Sequence, residues 1–292
     1  MNKEFNKGLL LAGFGSFWWG FFGVLYFKYI TFIGYIELVI HRCLWTTLTL
    51  ILTTFFFSKW DIFFKIIKSK QNLIYLFISG FLIFINWGVW IYAIATNRII
   101  DASFGYFIMP ILSVLLGYIF FKEKLNNKRI FSITLVILSI LYLIFVSLKS
   151  LPWVGLIVAL SWGFYNLVRK KINVDTDIGL LIESLFILPI AIIVFYMIAA
   201  KGYNDFSLSD PSMMLIIFLA GPMTVIPLFF YVRGVELCGL GPSGMIFYIT
   251  PTLQFLLGFF YYDEVFSFNK LVSFIIIWFA VIIYLRDLYE TN

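Results

Sequence analysis

The sequence has 292 residues, 62% of them apolar and 12% charged, with a mean hydropathy of +1.00. These values exclude a soluble globular domain and place the chain in a lipid bilayer. Twenty-one Lys and Arg against 15 Asp and Glu give a net charge of +6; the excess fits contact with anionic headgroups and gives no ground for nucleic-acid binding.

In chain order, ten apolar segments are long enough to cross a hydrocarbon core of about 30 Å as helices. They are 8–27, 34–57, 72–96, 101–121, 129–148, 152–168, 178–200, 212–232, 242–262 and 269–286. Helices are required because backbone groups facing lipid have no water to bond, and the runs alternate too little for barrel strands. The expected class is therefore an all-α integral membrane protein. The first run begins within ten residues of Met1, shows no small-residue cleavage site, and is expected to stay as a helix. Connections are short; the longest, KGYNDFSLSDP at 201–211, is a polar turn-rich loop, so no soluble domain is expected to house catalysis. Cys43 and Cys238 lack paired spacing and read as small apolar fillers, with no metal and no cofactor expected.

Basic residues set the orientation. With a cytoplasmic N-terminus, fifteen Lys and Arg fall inside; Lys28, Arg98, Lys149, Lys201 and Lys270 fall outside, and Arg42 lies within a helix. This bias predicts a multi-pass protein of a bacterial-type inner membrane with both termini cytoplasmic.

The phrase PILSVLLGYIFFKEK at 110–124 returns as PTLQFLLGFFYYDEV at 251–265. An offset of 141 aligns Pro110 with Pro251, Gly117 with Gly258, Glu123 with Glu264 and Ser132 with Ser273, and an offset of 143 aligns WGF at 19–21 with WGF at 162–164. Two five-helix units, 1–148 and 149–292, are implied; five is odd, so the second must be inverted across the membrane. Such halves can rock and expose a midplane cavity to alternate sides, which is a transporter's architecture. Pro110 and Pro251 are expected near the centres of their helices, freeing the carbonyls of Tyr106 and Phe247, either as hinges or as packing kinks. Gly117 and Gly258 are expected to allow close helix contact.

Several stretches resemble the EamA-type drug/metabolite transporters, in particular the RarD branch: IELVIHRCLW (36–45), NWGVWIYAIATNRIIDASFGYFIMP (86–110), WGFYNLVRKK (162–171), GLLIESLFILP (179–189) and FYITPTLQFLLGFFYYDE (247–264). The resemblance covers essentially the whole chain. It implies ten helices in inverted five-helix repeats, an inner-membrane location, and export or exchange of small metabolites or drug-like compounds.

Ionisable residues within spans are costly and invite functional readings. Glu37 and His41 share a helix face, with Arg42 about 100° away. Glu37 with Lys28 or Arg42, and Glu183 with Arg169 or Lys170, are candidate gate pairs or proton-coupling sites, or else structural locks of their helical hairpins. His41 is a candidate proton site or a hydrogen-bonded packing residue. Cavity contacts to a small-molecule substrate are expected from Asn86, Tyr92, Tyr106, Asn166 and Gln254, with Trp87, Trp162, Tyr165 and Tyr248 as flat apolar walls. The absence of a GxxxxGK[ST] motif points to secondary-active transport driven by a proton gradient or by exchange. The alternatives are a polytopic membrane enzyme on lipid-linked substrates, which a single histidine and scattered carboxylates fit poorly, and a passive channel.

Overall fold

The computed structural model describes residues 3–96, 99–147, 153–206, 210–261 and 268–291, and these are helical without a strand among them. The chain begins with α1 (Lys3–Trp18), which runs through a π-helical turn (Trp19–Gly23) into α2 (Val24–Tyr29). Then come α3 (Tyr35–Phe56), the short α4 (Trp60–Ile67), α5 (Lys70–Ala95), α6 (Ile99–Phe121) and α7 (Asn127–Ser147). The remainder comprises α8 (Trp153–Lys171), α9 (Thr176–Ala200), α10 (Pro211–Phe218), α11 (Ala220–Cys238), α12 (Leu240–Ile246), α13 (Ile249–Phe260) and α14 (Phe268–Thr291).

Local chemistry sets the helix starts. Ser69 caps α5 by accepting from the N–H of Asn72 at 3.3 Å, and Asp210 caps α10 by accepting from Ser212 and Met213 at 2.9 and 3.1 Å. Pro211 then occupies the first helical turn, where its missing N–H leaves nothing unbonded.

Among the described residues, seven stretches are long and apolar enough to cross a membrane: Lys3–Tyr29, Tyr35–Phe56, Lys70–Ala93, Asn127–Val146, Thr176–Ala200, Pro211–Cys238 and Leu271–Glu290. The other three expected spans are helical but different in kind. Gly105–Phe121 of α6 is a shorter apolar helix, and α8 ends in Arg169, Lys170 and Lys171. The segment 242–262 is not one helix, since α12 and α13 meet at Phe247 and Tyr248. Pro251 therefore lies in the first turn of α13 rather than at a helix centre, and the carbonyl of Phe247 is not free, because the N–H of Thr250 donates to it at 2.9 Å. Pro110 does lie inside a helix, α6.

Polarity is distributed as lipid demands. Large apolar side chains such as Phe56, Phe145, Tyr196 and Leu215 face outward, while Glu37, Arg42, Asn86, Arg169, Glu183 and Asp287 are buried. α1 packs along α11, α5 and α6 both pack along α8, α7 along α14, and α3 along α9 and α11. Small residues permit the closest of these approaches: a Cβ on Gly234 would sit 2.6 Å from the backbone nitrogen of Ala12.

Gly234→Ala should therefore push α1 off α11 and destabilise the protein by about 1–3 kcal/mol. Gly13→Ala, whose Cβ would meet Ile246 at an ordinary 3.7 Å, should be neutral. Tryptophan-fluorescence melting of the two purified variants checks the difference.

Candidate functional site

A cavity lies where α2, α3, α5, α6, α8 and α13 converge. Trp19 and Gly23 line it from the π turn, Phe27 from α2, Arg42 from α3, Asn86, Trp87 and Trp90 from α5, Tyr106 from α6 and Trp162 from α8. Phe247 at the α12–α13 junction, with Thr250 and Gln254 of α13, completes the wall. Helical spacing explains the choice, because Asn86 and Trp90, like Thr250 and Gln254, are four apart and share a face. The cavity holds about 490 Å³ of unoccupied space including its mouth.

The wall is aromatic with a few fixed polar groups. Trp19 and Trp162 meet edge to face at 5.0 Å, and Trp162 also contacts Tyr165 and Tyr231 at 5.5 Å and Phe247 at 6.1 Å. Arg42 is 4% exposed. Its Nε donates to Thr224 Oγ1 at 3.0 Å, and its guanidinium lies over the rings of Trp87, Phe27 and Trp90 at 4.5, 4.7 and 5.9 Å. Asn86 donates through Nδ2 to the Val158 carbonyl at 3.0 Å and to Ser161 Oγ at 3.1 Å.

Of the nine residues expected at the cavity, Asn86, Trp87, Tyr106, Trp162 and Gln254 line it and the others lie elsewhere. Tyr92 turns to Tyr35 and Trp153, and Tyr165 sits behind Trp162 with its hydroxyl donating to Glu183 Oε2 at 3.3 Å. Asn166 folds back to donate to the Trp162 carbonyl at 2.9 Å, while Tyr248 donates to the Phe107 carbonyl at 2.9 Å and so ties the α12–α13 junction to α6. Trp19 was detectable through its repeat equivalence to Trp162, and Trp90 through its four-residue spacing from Asn86. Phe27 and Phe247 carry no signal that separates them from the other phenylalanines, which number 36 in all.

The expected gate residues fall into two clusters. Glu37 does not pair with Lys28 or Arg42. Its carboxylate accepts from the backbone N–H groups of Asp205 and Phe206 at 2.6 and 3.0 Å, and His41 Nε2 lies 3.4 Å away. Arg42, five residues on, projects about 140° around the helix from Glu37 and into the cavity instead. Glu183 does face Arg169, Oε1 to Nε at 3.5 Å, and also accepts from Ser79 Oγ at 2.5 Å. Arg169 Nη2 in turn donates to the Thr176 carbonyl at 3.2 Å.

Lys170 does not reach Glu183; it donates to the Val235 carbonyl at 3.2 Å and lies 3.9 Å from Glu123. Glu123 accepts from the backbone N–H groups of Leu240 and Gly241 at 2.8 and 2.9 Å, capping α12. Gly117 serves this contact rather than helix packing, since a Cβ there would sit 2.5 Å from Glu123 Oε2. The repeated phrase at 110–124 marked Glu123, but only the three-dimensional neighbour gives it a role. Its repeat equivalent Glu264 lies outside the described residues.

Comparison with known proteins fits this arrangement. The profile of the EamA-like transporter family matches residues 6–145. An uncharacterized transporter of Bacillus subtilis, YojE, is 33% identical over 97% of this chain and 95% of its own, and protein RarD of Escherichia coli is 33% identical over 99% and 97%. The chain belongs to the EamA-like transporter family, in its RarD-like branch. One solved crystal structure shares the fold of this EamA-like chain, with a TM-score of 0.68 at 13% identity over 95% of this chain and 96% of that one. The shared family and the apolar helices together make the chain a multi-pass membrane protein.

Because Arg169 and Glu183 are both buried, removing one strands the other. Arg169→Met should cost about 3–5 kcal/mol, and adding Glu183→Gln should restore part of that loss. Double-mutant-cycle analysis of melting curves measures the coupling.

Proposed function

We propose that this protein is a secondary-active transporter, exporting or exchanging small metabolites or drug-like organic compounds by alternating access through the cavity around Arg42 and Trp162. The observation that carries the reading is internal symmetry of the contacts. Exchanging residues 1–148 with 149–292 turns the α1–α11 contact into α8–α5 and α3–α11 into α9–α5, while α3–α9, α6–α12 and α7–α14 map onto themselves. At residue level, Trp19 touches its equivalent Trp162, and Tyr248 bonds its equivalent Phe107. Ser132 donates to the carbonyl of Ala280 and Ser139 to that of Ser273, a reciprocal pair at the same offset of 141.

This pattern supports ten membrane segments in two inverted five-helix repeats, with α1–α2, α10–α11 and α12–α13 each forming one bent crossing. In the proposed cycle the cytoplasmic side closes through Arg169–Glu183 and through Glu123 on α12. The opposite side closes through Glu37 on the Asp205–Phe206 backbone. With both sets formed together, the described state is closed on both sides, and rocking of the symmetric halves would release one set while the other stays formed. The name of the Bacillus subtilis relative, a transporter, favours the same reading.

The deciding experiment compares metabolites released by cells with and without the protein and then tests the compounds that differ by counterflow in proteoliposomes. Trans-stimulated exchange of unchanged compound supports the transporter; flux without trans-stimulation points to a channel, and chemical conversion to an enzyme. In the same cycle, Glu123→Ala should favour the cytoplasm-open state. A Gln254→Cys reporter should then label at least about threefold faster from the cytoplasmic face, since two N–H groups lose an acceptor worth about 1 kcal/mol each.

Orientation is tested separately. On a background with the buried Cys43 and Cys238 replaced by Ala, Thr31→Cys and Asn204→Cys should react with an impermeant maleimide in intact cells. Lys68→Cys should react only after permeabilisation. Labelling of position 68 in intact cells reverses the orientation.

A further inference from the structure

The buried charges of this protein divide into two kinds. Arg169 faces Glu183 at 3.5 Å, and Asp287 faces the half-buried Arg129 at 2.8 Å; the Glu37 carboxylate is met by two backbone N–H groups and His41. Arg42 differs. It is buried like Arg169, yet no carboxylate lies within ion-pair distance of it among the described residues, and its one hydrogen bond is to a neutral hydroxyl, that of Thr224.

The cations of arginine side chains are not stripped of water without compensation. Cation–π contact with the rings of Phe27, Trp87 and Trp90 offsets only part of the cost, since each such contact contributes about 0.5–2 kcal/mol against several for burying an ion. The guanidinium is also held in place: its centre lies over the Trp87 ring at 4.5 Å and Thr224 accepts from Nε at 3.0 Å. What remains of it borders the cavity, whose other walls carry no described carboxylate. A planar, oriented, uncompensated guanidinium inside a small cavity is an anion receptor, and a carboxylate matches its two parallel N–H groups.

We propose that the cavity binds small organic carboxylates that carry an aromatic or flat apolar body. The carboxylate pairs with Arg42. The body lies against the Trp19, Trp162 and Phe247 surfaces, and Asn86 and Gln254 supply neutral polar contacts at its edge. The substrate class rests on the transporter reading for its biological meaning, but binding at Arg42 does not. With the anion bound, the buried charge is neutralised within the cavity, so the loaded site is electrically closer to the surrounding apolar protein than the empty one.

The test uses three ligands with one body and different heads: 3-phenylpropionate, 3-phenylpropanamide and 3-phenylpropylamine. Binding to the purified full chain in detergent is read by quenching of intrinsic tryptophan fluorescence. The carboxylate should bind saturably and at least about tenfold more tightly than the amide or the amine. Arg42→Gln should weaken the carboxylate at least about tenfold and leave the amide unchanged, whereas Arg42→Lys, which keeps the charge without the fork, should fall between. Unchanged amide binding by Arg42→Gln guards against loss of fold, and Phe145→Ala, at a lipid-facing position outside the cavity, should melt near the parent and retain preference for the carboxylate.

Equal binding of amide and carboxylate, tighter binding of the amine, undiminished carboxylate binding by Arg42→Gln, or no saturable carboxylate binding by the folded parent each overturns the proposal. Competition by chloride at equal concentration overturns its organic part. Carboxylate binding without counterflow would leave the anion site standing and remove the transporter, whereas counterflow restricted to neutral or cationic compounds would do the reverse.

Discussion

A charge drawn out of water into a membrane protein has to be met by the chain itself, and in this structure each of four buried or half-buried carboxylates takes a hydrogen bond from the opposite half of the sequence. Glu37 of α3 is met by the backbone at Asp205 and Phe206, and Glu123 by the first N–H groups of α12. Glu183 of α9 takes the hydroxyl of Ser79 from α5, and Asp287 of α14 takes Asn126 and Arg129. Each of these bonds holds a residue before 148 to one after it. Separating the halves would leave several ionised groups facing lipid, so the same groups that make the interior polar also fix how the halves sit.

Helix packing follows the same division. The most extensive contacts, α1 with α11, α6 with α8, α5 with α8, α7 with α14 and α3 with α9, each take one helix from either half. The sequence halves are thus interleaved rather than side by side, and neither contains the apolar partner its own helices need. Between them, small residues set backbone distance where helices cross closely, as Gly234 does against Ala12, and large aromatics fill the space where they diverge, as Trp19, Trp162 and Phe247 do in the cavity wall with Tyr231 packed against them. The cavity exists where neither solution is complete.

The class, the helical segments and the family resemblance were legible in the sequence because hydropathy over twenty residues is a strong signal and the lipid solvent leaves few alternatives. The break at Phe247 and Tyr248 was legible only as a hinge or kink expected from Pro251; that the helix parts there, with the Phe247 carbonyl satisfied by the Thr250 N–H, depends on local geometry that composition does not mark. For the site, amides and tryptophans inside spans pointed to Asn86, Trp87, Trp162 and Gln254, because such groups need polar or aromatic neighbours wherever they lie. Rotation about the helix axis decided the rest. Arg42 reads as a partner for Glu37 by proximity in sequence, and only the angle between them sends one to the 201–206 loop and the other into the cavity. Tyr165, Asn166 and Tyr248 have the right chemistry but spend it on Glu183, on the Trp162 carbonyl and on Phe107.

The π turn at Trp19–Gly23 puts one residue more into its helix than an α-helical turn would hold. Upstream of it, the phase of α1 is set by contact with α11; downstream, Tyr26 donates to the Ile216 carbonyl at 2.8 Å and Phe27 stacks on Arg42. The extra residue is what lets both phases be kept at once. Deleting a single residue there would restore regular α geometry and turn everything after it by about 100° relative to α1, carrying Phe27 away from the guanidinium while every side chain of the site remained in the sequence. The reading frame of this one helix is therefore as much a part of the cavity as any residue that lines it.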